Sequence, residues 1–139
     1  MSPFRMNKIE ESPRTVIKFF ESINNKNIDD IQTIIDPACV VDDFHEIESK
    51  KTNKDSLIAC LNEIFRNVWD LKLSIHETIS AGHRCVVTFT LFEKIENITR
   101  EYRCAGIFEV HNGKITSINI YSKIPEPSGS GRPTVMCCH

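Results

Sequence analysis

Apolar residues along the chain keep two rhythms, and the change from one to the other divides it. Val16, Phe19, Phe20 and Ile23 recur at i, i+3, i+4 and i+7, the single stripe of an amphipathic helix. Ser12-Pro13 predicts its start, with Ser12 as N-cap and Pro13 at the first helical position. Asn24-Asn25-Lys26-Asn27 predicts a break, and a shorter helix follows with Ile28, Ile31, Ile34 and Ile35 on one face, stopped by Pro37. Ala38 to Phe44 predicts a strand, and Glu46 to Asn53 a polar loop. Asn53 then caps a third helix whose stripe is Leu57, Leu61, Ile64, Phe65 and Val68.

From Leu71 the period drops to two. Leu71, Leu73, Ile75 and Ile79 alternate with Lys72, Ser74, His76 and Thr78; Ala81-Gly82 predicts a turn; Val87, Phe89 and Leu91 share one parity of the next strand. After a turn at Glu96-Asn97 comes the strongest local signal, Glu101 to Tyr121. Its two β-branched and aromatic runs flank Asn112-Gly113, residues that accept the positive φ a type I′ turn demands. Tyr102, Cys104, Gly106, Phe108 and Val110 share a parity that predicts the inner face of a curved sheet. The order helix, helix, strand, helix, four antiparallel strands makes an α+β fold: a cone-shaped, strongly curved antiparallel sheet with three helices in its concavity. Residues 12–123 form this domain, between a flexible arm at 1–11 and a flexible tail at 124–139, where Pro125 to Gly131 opposes regular structure.

Composition narrows the function classes. A chain of 139 residues suits one domain, and a net charge of −2 gives no basic footprint for nucleic acid. No apolar run approaches the roughly 18 residues of a membrane span, and the N-terminus has no apolar signal core, so the expected location is cytoplasmic. Cys39, Cys60, Cys85 and Cys104 sit singly in apolar runs and are expected as buried reduced thiols. Without a C-x-x-C pair, and with no nucleotide or flavin motif, neither metal nor cofactor is expected.

The stretches TVIKFFESINNKNIDDIQTIIDPACVVDD and FEVHNGKITSINIY resemble the nuclear transport factor 2-like superfamily, and within it the SnoaL-like polyketide cyclases and ketosteroid isomerase. The resemblance runs from about Pro13 to Lys123 and implies the same cone. It places Asp42 where the isomerase has its general base, a carboxylate that needs an apolar surrounding to raise its basicity. Val40, Asp42 and Phe44 share a parity, so Asp42 is expected among apolar neighbours facing the pocket. Two departures follow. Phe20 stands where the isomerase has an oxyanion-donating tyrosine, and Gly106 where it has a protonated aspartate, which argues against steroid isomerisation by that route. Glycine at 106 is expected to widen the cavity.

Tyr102, on the inward parity, and His45 are the candidate substitute donors; His76 is expected on the outer surface. Phe20, Phe44, Phe65, Trp69, Val87, Phe89, Leu91, Cys104, Gly106 and Phe108 are the expected pocket wall. The resulting expectation is a SnoaL-like, cofactor-independent isomerase, dehydratase or cyclase acting on a hydrophobic or cyclic small molecule, with Asp42, Tyr102 and His45 as its catalytic set. A non-catalytic binding or assembly module of the same fold is the alternative. The outer sheet face, with Ile107, Glu109, Ser117, Asn119 and Tyr121, is expected to make a homodimer.

Overall fold

The computed structural model describes residues 3–43, 50–68 and 70–123, with side chains placed for 11–42, 51–68 and 70–123. Phe44, His45 and Trp69, and the tail at 124–139, lie outside the described residues. The elements run α1 (Pro3–Asn24), α2 (Ile28–Ile34), β1 (Ile35–Asp43), β2 (Lys50–Asn53), α3 (Lys54–Asn67), β3 (Asp70–Ala81), β4 (Arg84–Ile95), β5 (Ile98–His111) and β6 (Lys114–Ser122). They form three helices against one curved, unclosed sheet of order β2-β1-β6-β5-β4-β3.

The caps follow the sequence. Asn27 and Asn53 accept from the backbone N–H of Asp30 and Ser56, opening α2 and α3. Asn112 and Gly113 both have positive φ, as a type I′ hairpin requires. Lys54 donates through Nζ to the carbonyls of Gln32 and Ile35 at 2.8 and 2.9 Å, tying the start of α3 to the end of α2. Asn24 does more than end α1. Its side-chain amide pairs with both backbone groups of Leu73, donating to the carbonyl at 3.0 Å and accepting from the N–H at 2.7 Å. It thereby substitutes for a strand neighbour on the edge strand β3.

Four expectations about the elements and the sheet are corrected. The first helix does not start at Ser12: α1 runs from Pro3 with Pro13 inside it. The fixed φ of proline suits a helix, at the loss of one backbone hydrogen bond. The Ser12 hydroxyl is used elsewhere, donating to the Gly82 carbonyl at 2.9 Å across the β3–β4 turn. Second, the end of the expected loop is an edge strand, since Lys50–Asn53 pairs antiparallel with β1. Its sequence, KKTN, is too polar to signal a strand, and charged short edges are what discourage unwanted pairing.

Third, the sheet is mixed rather than wholly antiparallel, because β1 lies parallel to β6. Everything from β2 to β5 serves as the long crossover that parallel neighbours need. Fourth, β3 carries a register shift between Ile75 and Glu77. One extra residue exchanges the faces, so Ile79, expected inside, is 58% exposed while Thr78 is half-buried.

The core lies in the sheet's concavity. Val16, Phe19, Phe20 and Ile23 of α1 and Ile58, Leu61 and Ile64 of α3 are buried with the inward rows of β4 and β5. Phe20 is central: its ring meets Phe89 edge-on at 4.8 Å between centroids and Phe108 at 5.8 Å, with Phe19 against Phe108 at 6.0 Å. Gly106 does not widen this space. A β-carbon there would sit 2.6 Å from Cε1 of Phe108 and 3.0 Å from Ile120. The ring edge of Phe108 already fills the room that glycine leaves.

Among the described residues three thiols are buried and free, Cys39, Cys85 and Cys104. Cys60 departs from the expectation: half-buried on α3, it is disulfide-bonded. Burial pushes all three free thiols up, and Cys39 to about 12, with the Asp36 charge adding to the effect and Lys54 opposing it.

Two outcomes are expected from this packing. Gly106→Ala should cost about 1–3 kcal/mol in urea unfolding despite alanine's better strand propensity, because Phe108 is held by Phe19 and Phe20 and cannot yield; an unchanged midpoint would show that the ring moves aside. Cys39 keeps its proton better folded than unfolded, so its share of stability is whole below about pH 9 and is lost as pH rises towards 12. Unfolding midpoints across that range should therefore fall more steeply for the wild type than for Cys39→Ala. Parallel curves would contradict the assignment.

Candidate functional site

Strand register decides which side chains meet inside the cone. Residues paired across neighbouring strands project from one face, so the inner face reads as rows: Leu71–Glu93–Arg100, Leu73–Leu91–Tyr102, Ile75–Phe89–Cys104, then Val87–Gly106–Ile120 and Cys85–Phe108–Ile118. The last three rows, with Phe19 and Phe20, make the aromatic filling just described. The first two lie at the opposite end, where α3 ends at Asn67 and β3 begins at Asp70.

Of the expected pocket wall, Phe20, Val87, Phe89, Leu91, Cys104, Gly106 and Phe108 are buried on this inner face, and Phe65 packs half-buried against the core. Tyr102 is where its parity places it and is only 1% exposed. Its hydroxyl is buried without a hydrogen-bond partner, as is Nε of Arg100 two residues away on the same strand. Opposite Arg100, Glu93 is 0% exposed. It continues the inward alternation of Val87, Phe89 and Leu91, and that parity was the available signal for an acid in an otherwise apolar run. Sequence reasoning passed over both Glu93 and Arg100 because charged residues near strand ends normally face water.

Asp42 stands elsewhere. It is 5% exposed with Oδ1 lacking a partner. The register, however, pairs it with Asn119, and Asn119 with Ile107, in the row of the outer parity. Val41 is the residue beside Ile118 and packs against the core, while Val40 is 44% exposed. The alternation from Val40 to Asp42 is as expected, but its phase is reversed. Ile35 and Cys39 are buried and Val41 packs against the core, so the odd positions of β1 face inward on both sides of the irregular stretch between Ile35 and Val40.

His76 is exposed, as expected, and its Nε2 lies 2.6 Å from the Thr90 hydroxyl. It borders a depression of about 640 Å³ on the outer face, with Thr88, Arg103, Ala105, Tyr121 and Lys123. At the far end of the sheet His83 and His111 stack at 4.1 Å, and Nδ1 of His83 lies 3.0 Å from the Val110 carbonyl. Among the described residues no group of three or more His, Cys, Asp or Glu could hold a metal ion, and no helix is long and apolar enough to cross a membrane.

Comparison with solved structures gives the same fold repeatedly. An LEH-like epoxide hydrolase from M. tuberculosis superposes with a TM-score of 0.74 at 19% identity, over 83% of this chain and 84% of that one. A protein with a ketosteroid isomerase-like fold from Catenulispora acidiphila gives 0.68 at 15% identity, over 79% and 85%. IdmH, a candidate polyketide cyclase from Streptomyces antibioticus, gives 0.70 at 10% identity, over 80% and 91%. At these identities the likeness shows the nuclear transport factor 2-like fold alone. No curated protein matches the sequence. The model of the SnoaL-like domain matches residues 16–118, from the first buried stripe of α1 to the core of β6, and the chain belongs to that family.

Proposed function

We propose that the chain is a cofactor-independent enzyme that moves a proton on an apolar, cyclic or polyketide-like small molecule, in an isomerisation, dehydration or cyclisation. The reaction is assigned to the Glu93–Tyr102 end of the concave face. One observation carries the reading: a phenol buried without a partner, one row from a fully buried carboxylate. Leaving such a hydroxyl unsatisfied costs about 1–3 kcal/mol, and a substrate oxygen accepting from it would recover that. Tyr102 then polarises the substrate, Glu93 takes a proton from a neighbouring atom and returns it elsewhere, and Leu71, Leu73 and Leu91 keep the surroundings dry.

Asp42 is the second candidate for the base, on the strength of its buried, unpartnered Oδ1; its row on the opposite face makes Glu93 the better choice. The rival reading, a non-catalytic binding module, draws support from the aromatic filling around Phe20 and from the missing donors at positions 20 and 106. We also propose that two copies pair through the outer face, where Ile107, Glu109, Ser117 and Asn119 are half-buried and Tyr121 is 42% exposed.

A thermal-shift screen of polycyclic ketones and polyketides, followed by turnover of each hit, tests the chemistry. Glu93→Gln should lower kcat by about 10²–10⁴ and Tyr102→Phe by about 10²–10³, with Asp42→Asn within about threefold of wild type. Loss confined to Asp42→Asn would move the base to that residue. Hits that bind but are never turned over would favour the binding module. For the dimer, Ile107→Arg should leave a monomer in light scattering, and a monomeric wild type would end that proposal.

A further inference from the structure

We infer that the molecule bound at the Glu93–Tyr102 end carries a carboxylate, gripped by Arg100 and Tyr102. The location rests on the reading above; the chemical class of the ligand is added here. Arg100 and Tyr102 alternate along β5, so both belong to the inner face, with Cα atoms about 7 Å apart. They differ in depth. Arg100 is partly exposed, and Tyr102, one row further in, is 1% exposed. The pairing of β6 with β5 begins at Cys104, with a further bond from Lys123 N–H to the Arg103 carbonyl at 2.8 Å. Over residues 98–102 the paired neighbour of β5 is β4. The two donors therefore sit where the wall of the cone stops being continuous.

Each donor lacks an acceptor. The guanidinium has donors only and stays charged at any ordinary pH. Its Nε edge is the side that takes a carboxylate through two parallel bonds. Because Nε is buried and unpartnered, no carboxylate among the described residues occupies that edge. Glu93 lies directly opposite in the register, yet it is fully buried and has an interaction of its own.

A ligand carboxylate fits what is left over. One oxygen accepts from the Nε edge, the other from the Tyr102 hydroxyl, and the negative charge offsets the guanidinium. A neutral carbonyl could accept both hydrogen bonds but would leave that charge without its counter-ion in a part-buried site. Leu91 and Leu73 in the Tyr102 row give the remainder of the ligand an apolar surface. The structure thus assigns the end to an apolar or cyclic acid rather than to its neutral relatives.

Naphthoate and cyclohexanecarboxylate, each against its methyl ester, are suitable probes for calorimetric titration into the full chain. The acids should bind about tenfold or more tighter than the esters. That preference should vanish in Arg100→Gln, be partly kept in Arg100→Lys, and weaken in Tyr102→Phe. Melting temperatures guard against misfolding. Tyr102→Phe in particular should melt no lower than wild type, since it removes a hydroxyl that bonds nothing in the free protein. Glu93→Gln should still bind the acids, so binding without any effect on turnover would reject the proposed base and leave the carboxylate grip standing. Equal binding of acid and ester, binding of neither, or an unchanged preference in a folded Arg100→Gln would overturn the inference. So would a crystal structure in which a water satisfies both donors and no acid displaces it.

Discussion

The edge-on contact of Phe20 with Phe89 and Phe108 is the constraint on which the other features depend. A helix can enter a curved sheet only if the sheet leaves room, and here the room is made by one residue without a side chain. Gly106 lets Phe108 lie against its own strand, and Phe20 then closes on Phe108 from α1. Anything bulkier at 106 pushes the ring into Phe19 and Phe20, both nearly fully buried. The same three rings turn the end where the isomerase keeps its oxyanion donors into solid core. The buried polar groups of β4 and β5, Glu93, Arg100 and Tyr102, lie towards their other ends.

Much of the fold was legible because it rests on periodicity and caps. The stripes of α1 and α3, the Asn27, Asn53 and Asn112-Gly113 signals, and the inward parity of β5 all appear where the pattern places them. What was hidden is long-range. Nothing local to KKTN says that it borders β1, and only the partner strand makes it one. The bulge after Ile75 reverses a parity that the sequence continues without a mark, and Ile79 is an apolar residue spent on the surface.

The candidate site was half legible, for a related reason. Tyr102 was found because five alternating residues fix its face. Asp42 was given the wrong face because apolar residues occupy both parities of β1, Cys39 and Val41 on one and Val40 on the other, and such a run does not disclose its own phase. Glu93 and Arg100 were missed for the opposite reason. Their parities are plain, but a charge at a strand end is ordinarily solvated, and only burial distinguishes one that is not.

One strand serves both ends of the molecule, and this ties stability to function. At Gly106 and Phe108, β5 is packed without slack; at Arg100 and Tyr102 it carries two buried donors that the protein leaves unanswered. A domain of this size has a net stability of about 5–15 kcal/mol, against which an unsatisfied phenol and a guanidinium edge are a considerable debit. The aromatic end supplies the rigidity that lets the polar end remain incomplete. Rigidity also lowers the cost of binding, because the donors need not be ordered when a ligand arrives. A molecule that completes them would therefore gain affinity from the same packing that fills the aromatic end.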